Sequence, residues 1–184
     1  DNRKNMTNKR VNVLPELLIL LGLLISWPAQ ADVIHEEKSK YRDITVTEER
    51  GRRCLLFNVH RGDRNQTCMY VNDPDRLVFD YTQMSFAGLL LNPDPQSILV
   101  IGLGGGSIPM VFSQLYPEAR IDVVEVDEAV VRVAEEYFDF AETENMRAIV
   151  EDGRPFIKRA GLRGINTTIL CLMLSVATIF PNIC

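Results

Sequence analysis

The stretch Ile98-Leu99-Val100-Ile101-Gly102-Leu103-Gly104-Gly105-Gly106-Ser107 constrains this chain more than any other. Four consecutive apolar residues run directly into a glycine cluster. An unbroken apolar run of this kind reads as a parallel strand with both faces covered. The glycines then let the backbone turn sharply and come close to a ligand. Ile108 to Tyr116 reads as the helix that follows, whose N-terminus offers free N–H groups and a positive dipole end. In isolation the same pattern also fits a tight strand-to-helix turn that binds nothing.

The next segment adds weight. Ile121-Asp122-Val123-Val124-Glu125-Val126-Asp127-Glu128 is a second apolar strand ending in acids. It lies about 20 residues past the glycines, the spacing at which an acid on the second strand takes the two ribose hydroxyls of a nucleotide. A carboxylate suits that task because it accepts from both hydroxyls at once. Asp127 and Glu128 also open a predicted helix running to Phe140, which buries Val130, Val131, Val133, Ala134 and either Tyr137 or Phe138. An acid in a first helical turn has a structural reason to be there, so Asp127 is a weaker binding candidate. Glu125, inside the strand end, has no such reason and is the strongest single candidate. A third strand, Arg147 to Glu151, leads into Asp152-Gly153. Three such tips line one edge of a parallel sheet, where open α/β sheets bind ligands.

The order and spacing of four motifs, DRLVFDYTQM, ILVIGLGGGS, VVEVDE and EDGRPFIK, resemble the spermidine synthase (polyamine aminopropyltransferase) family, especially its divergent bacterial members. The resemblance covers roughly Tyr41 to Arg159. It implies an α/β, Rossmann-like fold of the S-adenosylmethionine-methyltransferase type, with the parallel sheet incomplete at the C-terminus. It further implies decarboxylated S-adenosylmethionine as co-substrate, a small-molecule polyamine as acceptor, and no metal. On matching positions, Gly102, Gly104, Gly105 and Gly106 cradle the nucleoside, Glu125 holds its ribose, and Asp152 meets the adenine amino group. Tyr81, Gln83 and Ser107 stand near the substrate. Two departures follow. Members often carry an acid just after the glycines, where this chain has Ser107. Their catalytic segment, an apolar strand ending in Asp, should follow EDGRPFIKRA and is missing, so no catalytic residue is assigned. An S-adenosylmethionine-dependent methyltransferase fits the glycines and Glu125 equally well; the β segment and DGRPF favour the aminopropyltransferase. An exported, non-enzymatic binding protein is a third reading.

The N-terminus supplies the reason for that third reading. Met6 begins a segment with Lys9 and Arg10, an apolar run from Leu17 to Trp27, and Ala29-Gln30-Ala31. A basic region, a short apolar core and a small-x-small site read as a signal peptide over 6–31, cleaved before Asp32. The run is too short to span a bilayer comfortably, so no stable membrane span is expected after cleavage. Export to the periplasm follows from this segment, whereas the resemblance implies the cytoplasm.

Residues 32–75 read as an antiparallel meander with strands over Arg42–Glu48, Cys54–Val59 and Gln66–Val71. The resemblance implies a small β domain here that closes over substrate and helps a homodimer form. Cys54 and Cys68 lie on neighbouring strands: they can pair if the protein is exported and are small buried residues if it is cytosolic, and because nothing in the sequence fixes their register the reading leans only slightly to free thiols. Arg76 to Leu91 reads as a helix stopped by Asn92-Pro93-Asp94-Pro95. Residues 76–160 then carry the nucleoside-binding motifs. A formal net charge of −5 argues against a nucleic-acid partner. His35 and His60 are the two histidines, without Cys-x-x-Cys or His-x-x-x-His spacing, so the common metal-ligand patterns are absent.

The tail, 161–184, breaks the pattern. Its apolar run from Ile169 to Phe180 has neither a helical nor a strand period. Reading its possible codons from the third base permits Tyr-Asp-Tyr-Ile-Met-Leu-Asp-Ala-Phe-Ser-Gly-Asp-Tyr, an apolar strand ending in Asp with a loop after it. The expectation is that a frameshift between Phe156 and Ile165 puts the tail out of frame and leaves three parallel strands with an open edge.

Overall fold

The computed structural model describes residues 31–59, 62–74, 76–78, 86, 92–162 and 168–171. These build two four-stranded sheets. The first is antiparallel, in the order β1 (Asp32–Lys38), β2 (Asp43–Glu49), β3 (Arg52–Val59), β4 (Gly62–Tyr70). The second is parallel. Its strands are β5 (Ser97–Ile101), β6 (Arg120–Glu125), β7 (Met146–Val150) and β8 (Thr168–Cys171), in the spatial order β7-β6-β5-β8. Among the described residues three helices connect the parallel strands: α1 (Ser107–Leu115), α2 (Glu128–Tyr137) and α3 (Gly153–Leu162).

Strand β5 behaves as its sequence requires. Ile98 and Val100 point into a core shared with Ile121 and Val123 of β6, Phe112 of α1 and Val130 of α2. Leu99 and Ile101 point the other way and, with Val124, meet Ile149 and the α3 residues Phe156 and Ile157. Both faces of the strand are therefore covered, as a continuous apolar run demands. Each such buried aliphatic side chain contributes about 1.5–3 kcal/mol. The same core takes in Ile44, Val46, Leu55, Phe57 and Met69 of the meander, so the two sheets share one hydrophobic interior.

Four details differ from the sequence expectations. Strand β1 was not anticipated. Its side chains are mostly exposed, so it carries no apolar signal, and it is held by its antiparallel ladder to β2. Helix α2 stops at Tyr137 rather than Phe140. Asp139 adopts φ 57, in the left-handed region, and the Phe138 and Phe140 N–H groups both donate to the Ala134 carbonyl. This is a closing turn of the kind that satisfies the last carbonyls of a helix, and it leaves Phe138 and Phe140 buried.

The third difference is β8. The tail lays Thr168–Cys171 alongside β5 in parallel register, Ile98 opposite Thr168 and Ile101 opposite Cys171. The free N–H and C=O groups of β5 on that side otherwise lack partners, and a Thr-Ile-Leu-Cys run suits a strand. The sheet therefore has four parallel strands rather than three.

The fourth is the cysteine pair. Cys54 and Cys68 are directly opposite in the β3–β4 ladder and form a disulfide, with Cα atoms 4.1 Å apart. A register shift between Leu55 and Leu56 helps set this pairing. It is invisible in a sequence, and of the two states left open there the paired one is formed, against the slight lean to free thiols. The predicted helix over Arg76–Leu91 lies largely outside the described residues. No helix among the described residues is long and apolar enough to cross a membrane.

The disulfide joins residues 14 apart, and a loop of about that size predicts about 3 kcal/mol of stabilisation through the unfolded chain. Replacing both cysteines, Cys54→Ser with Cys68→Ser, is expected to lower unfolding free energy by about 2–3 kcal/mol in urea titration. Adding a thiol reductant to the unaltered protein should move its midpoint the same way and leave the double variant unchanged.

Candidate functional site

The chain passes from β5 to β6 to β7 in one direction, then returns to place β8 on the far side of β5. That reversal makes the C-terminal end of β5 a switch point, the place where open α/β sheets form a ligand crevice. The glycine turn sits there. Gly102, Gly104 and Gly106 have φ of 91, 59 and 80, conformations that L side chains rarely adopt. The Gly102 N–H donates to the Val124 carbonyl at 2.8 Å, and the Gly106 N–H to the Leu103 carbonyl at 3.1 Å. Gly106 is the N-cap of α1, and no side chain caps that helix. A Cβ on Gly106 would stand 2.5 Å from Phe140 Cδ2, so space as well as φ requires glycine. Ser107 is the first residue of α1 and is half-buried.

Glu125 ends β6 and is 5% exposed. Its Oε2 accepts from the Leu103 N–H at 3.0 Å and its Oε1 from the Asp127 N–H at 3.1 Å. A buried carboxylate persists only when hydrogen bonds replace water, and two backbone donors do so here. A carboxylate has about four acceptor positions, so each oxygen keeps capacity for a hydroxyl donor. Glu125 is thus fixed against the glycine turn and still able to bind.

Asp127 has the helix-opening role expected of it. Its Oδ1 accepts from the Ala129 N–H at 3.1 Å, an N-cap bond for α2. Its Oδ2 accepts from Ser39 Oγ and faces Arg42 Nε at 3.7 Å. Asp152 is exposed, and its Oδ1 accepts from the Arg154 N–H at 2.9 Å in the first turn of α3. Glycines, Glu125 and Asp152 all lie at the C-terminal ends of β5, β6 and β7, one edge of one sheet. Tyr81 and Gln83 lie outside the described residues.

Sequence reasoning missed Thr67. This β4 residue accepts from the Gly105 N–H through Oγ1 at 2.9 Å and is 7% exposed. Cβ atoms on Gly104 and Gly105 would lie 2.7 and 2.8 Å from its side chain. The meander therefore presses on the glycine turn directly. Its partner is 38 residues away in sequence, and no local signal points to it. Away from the site, the Tyr137 hydroxyl is pushed above its ordinary value of 10.0, first by its hydrogen bond with Glu136.

Among the described residues, no group of three or more His, Cys, Asp or Glu is placed to hold a metal ion.

A glycine turn at a switch point, with a buried acid on the adjacent strand, defines a Rossmann-like fold. Comparison with solved structures agrees: spermidine synthase from Thermotoga maritima superposes with a TM-score of 0.58 over 77% of this chain and 48% of that one. At 19% identity that likeness concerns the fold alone. No protein-family model matches the chain. Among curated proteins, the polyamine aminopropyltransferase of Vibrio vulnificus is 48% identical over 158 residues, covering 84% of this chain. Over those 158 residues the chain is similar to a polyamine aminopropyltransferase, the family its motifs resemble. It spans 52% of the length of the Vibrio vulnificus protein. The eEF1A lysine and N-terminal methyltransferase of Mus musculus is 36% identical over 92 residues, covering 46% of this chain and 13% of that protein.

The glycine geometry makes a direct prediction. Gly106→Ala combines backbone strain with a clash against Phe140 and is expected to cost about 2–3 kcal/mol. Gly51→Ala is the control. It has φ 74 but no clash, its added Cβ lying in ordinary contact 3.9 Å from Asn72, so its expected cost is about 1–2 kcal/mol. Urea midpoints of the two variants should rank in that order.

Proposed function

We propose that the chain is the nucleoside-binding part of a spermidine synthase-like aminopropyltransferase. The enzyme would transfer an aminopropyl group from decarboxylated S-adenosylmethionine to a polyamine amine. The observation that carries this reading is the fixed Glu125 carboxylate beside the glycine turn, in a chain 48% identical to a polyamine aminopropyltransferase over 158 residues. In this reading Glu125 accepts from the ribose hydroxyls, Gly102 to Gly106 let the 5′ substituent lie close to the backbone, and Asp152 meets the adenine amino group. Tyr81, Gln83 and Ser107 are assigned to the polyamine side.

The transfer needs a neutral amine nitrogen aligned with the methylene next to the sulfonium sulfur. The nitrogen–carbon bond forms as the carbon–sulfur bond breaks. The electron pair of that bond goes to sulfur, and methylthioadenosine leaves. The sulfonium is already a leaving group, so the protein's part is alignment, binding of the cationic amine, and acceptance of one proton. A carboxylate is the natural acceptor. Residues 153–184 contain neither Asp nor Glu, so these 184 residues are expected to bind the nucleoside without turning it over. An in-frame tail that read on to an Asp would restore that group.

Two further readings each have an observation in their favour. The methyltransferase of Mus musculus shares 36% identity over 92 residues, which supports an S-adenosylmethionine-dependent methyltransferase. The Cys54–Cys68 disulfide suits an oxidising compartment and supports export after cleavage of residues 6–31. It thereby also supports a non-enzymatic exported binder. Pairing of subunits through the meander belongs to the first reading.

Titration calorimetry with methylthioadenosine and S-adenosylhomocysteine separates the three. Binding that favours methylthioadenosine is expected. Glu125→Gln should weaken it about 10- to 100-fold, the worth of hydrogen bonds to a charged acceptor. Tighter binding of S-adenosylhomocysteine would point to the methyltransferase, and binding of neither to the exported binder.

A further inference from the structure

We propose that the turn between β1 and β2 is a positioning device for the nucleoside site: Ser39 and Arg42 fix Asp127, and Asp127 fixes Glu125. The inference rests on the reading of Glu125 as the ribose-binding group and adds residues from the other sheet to that site.

The turn is itself tightly built. Ser39 Oγ accepts from the N–H groups of Tyr41 and Arg42, both at 3.0 Å, and the Ser39 N–H donates to the Arg42 carbonyl at 2.9 Å. The Arg42 guanidinium lies over the Phe57 ring at 4.4 Å, which places its charge against the core of the meander. From this platform Ser39 and Arg42 both address Oδ2 of Asp127. Asp127 is 3% exposed, and its other oxygen is used by Ala129 at the start of α2. Both carboxylate oxygens are therefore held, and Asp127 cannot rotate without abandoning a buried charge.

That rigidity is passed to Glu125 through the backbone. The Asp127 N–H is one of the two donors that hold the Glu125 carboxylate. If Asp127 shifts, Glu125 keeps only its bond from Leu103, and its oxygens are free to swing away from the ribose. Capping α2 does not by itself require Ser39 or Arg42, since the Ala129 bond does that alone. What their presence adds is a second fixed point for Asp127 from a different sheet. Arg42 suits this because its planar cation can stack on an aromatic ring and face a carboxylate at once. Arg42 and Ser39 are positioning residues, acting through Asp127, and neither is assigned a contact with the ligand.

A double-mutant cycle tests the inference with methylthioadenosine as probe. Arg42→Met keeps the aliphatic stem over Phe57 and removes the charge. In the full chain it is expected to weaken binding about tenfold, within the range of coupled neighbours. In the Glu125→Gln background the same change should cost about twofold or less, because the group it positions is gone. Ser39→Ala, measured in the same two backgrounds, carries the test should Arg42→Met fail to fold. Equal losses in both backgrounds, or no loss from either variant, overturn the proposal. Failure of the underlying reading looks different: the unaltered chain then binds no methylthioadenosine, or Glu125→Gln binds as well as the parent, and the positioning role falls with it.

Discussion

The buried Glu125 carboxylate is the interaction on which the site depends. Removing a charge from water costs several kcal/mol unless hydrogen bonds replace the lost hydration. Here one N–H comes from the glycine turn after β5 and the other from the start of α2 after β6. The charge thus ties two neighbouring loops to one strand end. Each loop also carries an N–H that would otherwise be buried without a partner. The same arrangement leaves acceptor capacity on each oxygen, so the lone pairs that hold the group in place are not all it has.

The small antiparallel sheet then has a role beyond covering the core. It reaches the site at two points: Thr67 accepts from Gly105 in the glycine turn, and Ser39 with Arg42 holds Asp127. Thr67 is next to Cys68 in sequence, and the Cys54–Cys68 disulfide holds β3 and β4 in the register that aims it. A one-residue slip of β4 would turn Thr67 to the opposite face. Scaffold and site meet in the same side chains.

What could be read from the chain alone follows a simple physical division. β5, the glycine turn, β6 and Glu125 were legible because their signals are local: an unbroken apolar run, glycines where φ is positive, and an acid where a helix start cannot explain it. The N-cap role of Asp127 was legible for the same reason. β1 was not, because an exposed edge strand has no apolar period to detect. The disulfide was not, because register depends on an irregularity between Leu55 and Leu56. Thr67, Ser39 and Arg42 were not, because their partners lie 38, 88 and 85 residues away and polar residues in a meander look alike. Long-range polar contacts are where a single sequence says least and where this site is held together.

Strand β8 shows how much of this site's framework backbone bonding alone can supply. A parallel ladder needs only backbone N–H and C=O groups and residues that tolerate an extended conformation. Thr168–Cys171 meets that requirement, so β5 gains a neighbour and the switch point beside the glycine turn is formed. A crevice at the sheet edge follows from topology, which backbone bonding can supply from many sequences. Proton acceptance does not follow from topology. In the proposed transfer it needs a side chain that can take a proton, and residues 153–184 hold neither Asp nor Glu. The glycine turn and the Glu125 carboxylate are thus placed by residues up to Asp152 and by any strand able to pair with β5. The group that would complete the transfer depends on which side chains that strand and its loop carry.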